Sequence, residues 1–261
     1  MTVWKIAIKG FRGYLRLEKS LSENSVEAYA NDVTKLAQFC EYTGNNKAPK
    51  DIKLRDLQKF LRWAAELGMS ARSQSRIISG IRSFYTYQLI ENEIKVDPTE
   101  LLELPKIGRK LPVTLSHEEI VDLIAAIDKS TLEGERNRTM LETLYSCGLR
   151  VSELVGLRIS DLYLDEGFVR VVGKGDKERL TPIGSTAVKY IKLYLHETRP
   201  QVPVQPEAED VLFLNRRGRQ LTRVMIFTII RQLAEKINLG KTISPHTFRH
   251  SFATELSLIH I

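Results

Sequence analysis

Three short stretches of the 261-residue chain hold residue types that act on an anionic centre. In Gly148-Leu149-Arg150-Val151-Ser152-Glu153-Leu154 an arginine follows an apolar run and a glycine. A guanidinium is a rigid fork of donors that matches phosphate oxygens. The plain structural alternative is that Gly148 ends one helix, Ser152 caps the next, and Arg150 is a surface charge. In Gly173-Lys174-Gly175-Asp176-Lys177, with Arg179 just beyond, a lysine stands between glycines that let the backbone approach a ligand closely. An ammonium there can hand a proton to a leaving oxygen, although lysines in such turns also serve solubility alone. In Ser244-Pro245-His246-Thr247-Phe248-Arg249-His250, His246 and Arg249 are three apart and share a helix face. An imidazole beside a guanidinium fits the non-bridging oxygens of a phosphodiester. His250 points about 100° away and is assigned to packing or capping.

Helices and one small hairpin must position these groups. Ser116-His117-Glu118-Glu119 is a capping-box start, and the helix after it runs to about residue 126. Residues 135–146 form another helix. The β-rich runs 168–172 and 179–183 flank the Gly173–Lys177 turn and predict a hairpin. Residues 185–197 read as helix, 211–214 as a short strand and 222–239 as a long helix. Pro245 suits the first turn of a last helix, where its missing N–H is not needed.

The first hundred residues read as four helices. Val26, Ala30, Val33, Leu36 and Cys40 recur at helical spacing, as do Leu54, Leu57, Phe60, Leu61 and Ala64, then Ile77, Ile78, Ile81, Phe84 and Tyr85. A further helix covers about 3–17. Pro98, Pro105 and Pro112, with Lys106, Arg109 and Lys110 between them, make 105–112 an extended basic linker. The predicted domains are therefore 1–104 and 113–256, a mainly α fold with a small β-sheet (α+β).

Composition narrows the partners. Lys and Arg total 39 against 32 Asp and Glu, a formal charge of +7, which favours polyanions because neutralising phosphates releases counterions. At 43% hydrophobic the chain is too apolar to be disordered. No stretch approaches the ~18 uncharged apolar residues of a membrane span, and the N-terminus lacks a signal-peptide core. Cys40 and Cys147 stand far apart inside apolar segments. They read as buried free thiols of a cytoplasmic protein, not as a disulfide framework or zinc knuckle.

Taken in order, Gly148–Leu157 (GLRVSELVGL), Val172–Pro182 (VGKGDKERLTP) and Ser244–Thr254 (SPHTFRHSFAT) resemble the catalytic domain of the tyrosine site-specific recombinases, the integrase family, of the bacterial XerC/XerD type. Leu21–Asp32 and the Ser70–Tyr87 helix resemble that family's helical, SAM-like core-binding domain, so the likeness spans nearly the whole chain. The resemblance implies that Arg150 and Arg249 clamp a scissile phosphate, that His246 joins them, and that Lys174 is the general acid for the departing 5′ oxygen. It implies two reversible transesterifications through a 3′-phosphotyrosyl linkage, with no metal, no ATP and no other cofactor. It also implies double-stranded DNA as partner, two domains closing as a C-shaped clamp around it, and a tetramer formed with itself or a paralogous recombinase. Chromosome-dimer resolution is the expected role. A mobile-element or phage integrase of the same chemistry, and a non-catalytic DNA binder on this scaffold, are the alternatives.

The sequence departs from the family at one place. The family's nucleophilic tyrosine follows the His-x-x-Arg helix beyond a Leu-Gly-His-like motif, and these 261 residues end twelve after Arg249. Residues 257–261 read as a non-native tail, and the chain is expected to bind DNA without cutting it. Tyr145, Tyr163, Tyr190 and Tyr194 are assigned to core packing. For DNA contacts, the Ser70–Tyr87 helix offers an exposed row with Arg72, Arg76, Ser79 and Arg82, whose arginines and hydroxyls donate to phosphates. Thr222 and Arg223 open the 222–239 helix just after Arg216, Arg217 and Arg219, with Arg223 expected to read bases.

Overall fold

The computed structural model describes residues 2–45, 47–106, 108, 113–173 and 175–259, with residue 2 and residues 256–259 as backbone only. It divides into two compact units, Met1–Arg109 and Lys110–Ile261. Lys174 and most of the predicted linker lie outside the described residues. Among the described residues no helix is long and apolar enough to cross a membrane.

Unit one is all helical: α1 (Thr2–Leu17), α2 (Glu23–Tyr42), α3 (Leu54–Glu66) and α4 (Ala71–Ile90). The other three helices pack on α4. Its predicted inward residues Ile77, Ile78, Ile81, Phe84 and Tyr85 are buried against Phe11, Leu15, Val33, Leu36, Leu57 and Phe60. Ser70 caps α4 by accepting the Ser73 N–H at 3.2 Å, the backbone donor left orphaned at a helix start. α2 and α4 approach closely at Gly80, where a Cβ would stand 2.6 Å from Asp32 Oδ2.

Unit two holds α5 (His117–Ala125), α6 (Leu132–Ser146), α7 (Val151–Val155), α8 (Ser185–Leu193), α9 (Arg223–Lys236) and α10 (Pro245–Ile259). It also holds an antiparallel sheet of β1 (Leu162–Tyr163), β2 (Phe168–Val172) and β3 (Glu178–Pro182) in sequence order. Val169 and Val171 point from the sheet into a core shared with Leu141, Leu144, Leu154, Ile191, Ile226, Ile230 and Phe248. Both halves of the predicted capping box at Ser116 and Glu119 are formed. The fold is mainly α with a small sheet, as expected, and both cysteines are buried free thiols.

Several local expectations are corrected. The 211–214 run makes only isolated bridges, Arg158 with Val211 and Leu214 with Gln220. Leu212, Phe213 and Leu214 are core-buried instead, and the backbone is satisfied by bonds such as Leu212 N–H to Leu157 O at 3.0 Å. The helix expected over 185–197 ends at Leu193 and continues as a π-helical turn over Tyr194–Thr198. Ser152 does not cap α7: Arg150 holds the N-cap position, and its N–H is taken by Glu153 Oε2 at 2.8 Å. His250 is exposed, so it does not pack. Of the four tyrosines assigned to the core, Tyr194 is buried, whereas Tyr163 is exposed on the short first strand.

Candidate active site

α6 stops at Ser146, and Gly148 takes a left-handed backbone (φ +53°) that turns the chain into α7. A Cβ there would both strain that conformation and collide with the Phe252 ring of α10. The turn delivers Arg150 and, three residues on, Glu153. The Glu153 carboxylate is almost fully buried and accepts from three directions. Arg150 Nη1 donates to Oε1 at 2.8 Å and the Arg150 N–H to Oε2 at 2.8 Å. From β3, Arg179 donates through Nη1 to Oε1 at 3.0 Å and through Nη2 to Oε2 at 2.8 Å. From α10, Arg249 Nη1 stands 3.9 Å from Oε2 and gives its hydrogen bond to the Gly148 carbonyl at 2.6 Å.

One carboxylate thus gathers three guanidiniums. Burial pushes the Glu153 carboxyl upward, but the bonds from Arg179 and Arg150 outweigh it and hold the group down at about 2. Desolvation and then the neighbouring Arg150 charge lower Arg249 from its ordinary value. The cluster carries more positive charge than Glu153 neutralises. Its side chains stay reachable, with Arg150, Arg179 and Arg249 at 49%, 38% and 35% exposure. A preorganised excess of forked donors at a solvent edge can bind a phosphoryl group and stabilise charge that builds on its oxygens.

α10 is fixed from its other side. Phe248 is fully buried, the Thr247 hydroxyl accepts the Ser244 N–H at 3.0 Å, and the Ser251 hydroxyl accepts the Leu115 N–H at 2.7 Å. With that face held inward, His246 is exposed one turn before Arg249. The structure therefore brings Arg150 and Arg249 onto one carboxylate and sets His246 on the helix that carries Arg249. The hairpin reaches the same place. A Cβ on Gly173 would lie 3.5 Å from Arg179 Nη1 and 3.7 Å from Glu153 Oε1. Lys174, next in sequence, is among the residues not described.

The residues expected to touch DNA behave unevenly. On α4, Arg72 is exposed and Ser79 returns its hydroxyl to Ser75 O at 3.1 Å. Arg76 grips the fully buried Asp32 with two bonds of 2.6 and 2.7 Å, and Arg82 donates to Leu102 O at 2.5 Å. Burial raises the Asp32 pKa despite the Arg76 charge. In unit two, Thr222 caps α9 by accepting the Met225 N–H at 3.2 Å, and Arg223 is exposed in its first turn. Reading the residues alone missed Glu153 and Arg179 as site residues. The signal was present as the i, i+3 spacing of Arg150 and Glu153, the same spacing that forms a capping box.

The sequence and the fold match known proteins along most of the chain. The profile described as "Phage integrase family" matches residues 113–258, and "Phage integrase, N-terminal SAM-like domain" matches 8–92. The tyrosine recombinase XerD of Oceanobacillus iheyensis is 42% identical over 250 residues, covering 96% of this chain and 84% of that protein. The XerH site-specific recombinase, solved as a pre-cleavage complex bound to difH substrate, matches with a TM-score of 0.69 at 25% identity, covering 90% of this chain and 70% of that one. The Tn1549 transposon integrase, solved with circular intermediate DNA, shares the fold with a TM-score of 0.78 at 19% identity, covering 98% and 88%. The chain belongs to the phage integrase family, as a tyrosine recombinase of the XerC/XerD-like kind.

Proposed function

We propose that the chain carries the phosphate-binding machinery of a site-specific DNA recombinase that resolves chromosome dimers in the cytoplasm, cutting and rejoining duplex strands through a 3′-phosphotyrosyl intermediate. The observation that carries this reading is the meeting of Arg150, Arg179 and Arg249 on the buried carboxylate of Glu153. In the five-coordinate state of transesterification negative charge gathers on the equatorial oxygens. Arg150 and Arg249 answer it, with His246 as a third donor. Lys174 protonates the departing 5′ oxygen. Glu153 and Arg179 touch no reacting atom and act as positioning residues. The 42% identity to a XerD protein supports a Xer-type role over a mobile-element one.

Arg72, Arg76, Ser79 and Arg82 of unit one, and Thr222 and Arg223 of unit two, contact the duplex. The assembly on DNA is a tetramer of this chain with itself or a paralogue. No tyrosine among these 261 residues is assigned as the nucleophile. Tyr145 is bonded to Glu255, Tyr190 is stacked under Arg138, and Tyr194 is buried. A polypeptide of these residues is therefore expected to bind duplex DNA with a strong salt dependence and to form no covalent adduct on a nicked suicide substrate. A covalent adduct would overturn the binding-only part, and an absence of duplex binding would overturn the whole reading.

A further inference from the structure

The exposed side of α9 carries two large apolar residues that a phosphate-directed role does not use. Val224 is 73% exposed and Phe227 is 43% exposed. Three apart on a 14-residue helix, they share one side, while Ile226, Ile230, Leu233 and Ala234 enter the core from the other. Their surroundings are cationic towards the start of the helix: Arg223 is exposed in its first turn, and Arg216, Arg217 and Arg219 are exposed in the turn before it, while Arg231 further along is paired with Glu235 at 3.3 Å. A partner that covers this face must be anionic at its edges and apolar in the middle. The major groove of DNA has that character wherever thymine lies on its floor, with phosphates on both walls and C5-methyl groups between them. At about 12 Å it admits one helix.

We propose that Val224 and Phe227 are specificity-determining residues that contact thymine methyl groups in the major groove, with Arg216, Arg217 and Arg219 on the flanking phosphates. The proposal rests on the DNA reading above and adds to it a base class and the side chains that read it. A solvated helix face needs neither residue to be apolar, and a purely phosphate-binding face gains nothing from them.

The test begins with a randomised duplex pool retained on the 261-residue chain. The selected sequence is then resynthesised with uracil replacing each thymine in turn, which deletes one methyl and leaves the hydrogen-bonding edge intact. For the wild-type chain, uracil at one or two positions is expected to weaken binding about fourfold, the effect of one buried methyl. Val224→Ala or Phe227→Ala is expected to weaken binding to thymine DNA by a similar factor and to erase the preference for thymine at that position. The salt slope should stay unchanged, because no phosphate contact is removed. A thymine preference that survives both substitutions, or none in the wild type, overturns the proposal while duplex binding stands. Retention of no duplex at all overturns it together with the DNA reading.

Discussion

Arg179 places both terminal nitrogens on the two oxygens of Glu153, at 3.0 and 2.8 Å, although 26 residues separate them in sequence. This bond ties β3 to α7 and leaves Glu153 to orient Arg150 and face Arg249 at the same time. The carboxylate is the hub of the site, and its ionisation holds the arginines together.

Glu153→Gln should therefore loosen the site without emptying it. Leaving three guanidiniums around a neutral amide is expected to cost about 3 kcal/mol of stability, the range for breaking a buried pair. Urea unfolding at neutral pH measures it. A loss below about 0.5 kcal/mol would mean that Glu153 is not the hub.

The same carboxylate sets an acid dependence. Its folded pKa of about 2 lies below the ordinary 4.5, so its contribution is complete above pH 4.5 and disappears as pH falls towards 2. Stability of the wild type should fall across that window by more than that of Glu153→Gln. Parallel acid profiles would contradict this.

Gly148→Ala meets two obstacles at once, a left-handed backbone and the Phe252 ring. A loss of about 2–4 kcal/mol is expected, from backbone strain plus overpacking. Adding Phe252→Ala should return the packing part only. Thermal unfolding of the single and double variants separates the two.

Arg76→Ala strands the buried Asp32 carboxylate. Because the guanidinium is half exposed, a loss of about 2 kcal/mol is expected, less than for a fully buried pair. Arg76→Ala combined with Asp32→Asn should recover part of it. If Arg76 also meets a phosphate, the salt slope of duplex binding falls by about one. An unchanged slope would assign Arg76 to folding alone.

What the sequence made legible follows from which forces act locally. The apolar spacing located α4 and its inward face because a 3.6-residue period is written in Ile77, Ile81 and Phe84 themselves. Arg150, His246 and Arg249 stand out as candidates through the ordered resemblance of three motifs, since each motif alone also fits a surface charge or a common pair. The structure brings Arg150 and Arg249 onto Glu153 and leaves His246 exposed one turn before Arg249. The pairing of Asp32 with Arg76 and of Glu153 with Arg179 was not legible, since each depends on tertiary contact between distant elements. The 211–214 segment failed as a strand because high β-propensity also describes a largely buried chain whose neighbours, Arg158 and Gln220, pair with it only at single bridges. The α7 cap was misassigned because a five-residue helix leaves too little periodicity to fix its start.

Arg150 and Arg249 are expected to act on one phosphate. Replacing each phosphate of a bound duplex in turn by an uncharged methylphosphonate, and measuring affinity for the wild type, Arg150→Ala and Arg249→Ala, tests this directly. The expected result is one position at which the wild type loses affinity and both variants lose nothing further. Two different phosphates for the two arginines, or no such phosphate for either, would contradict it.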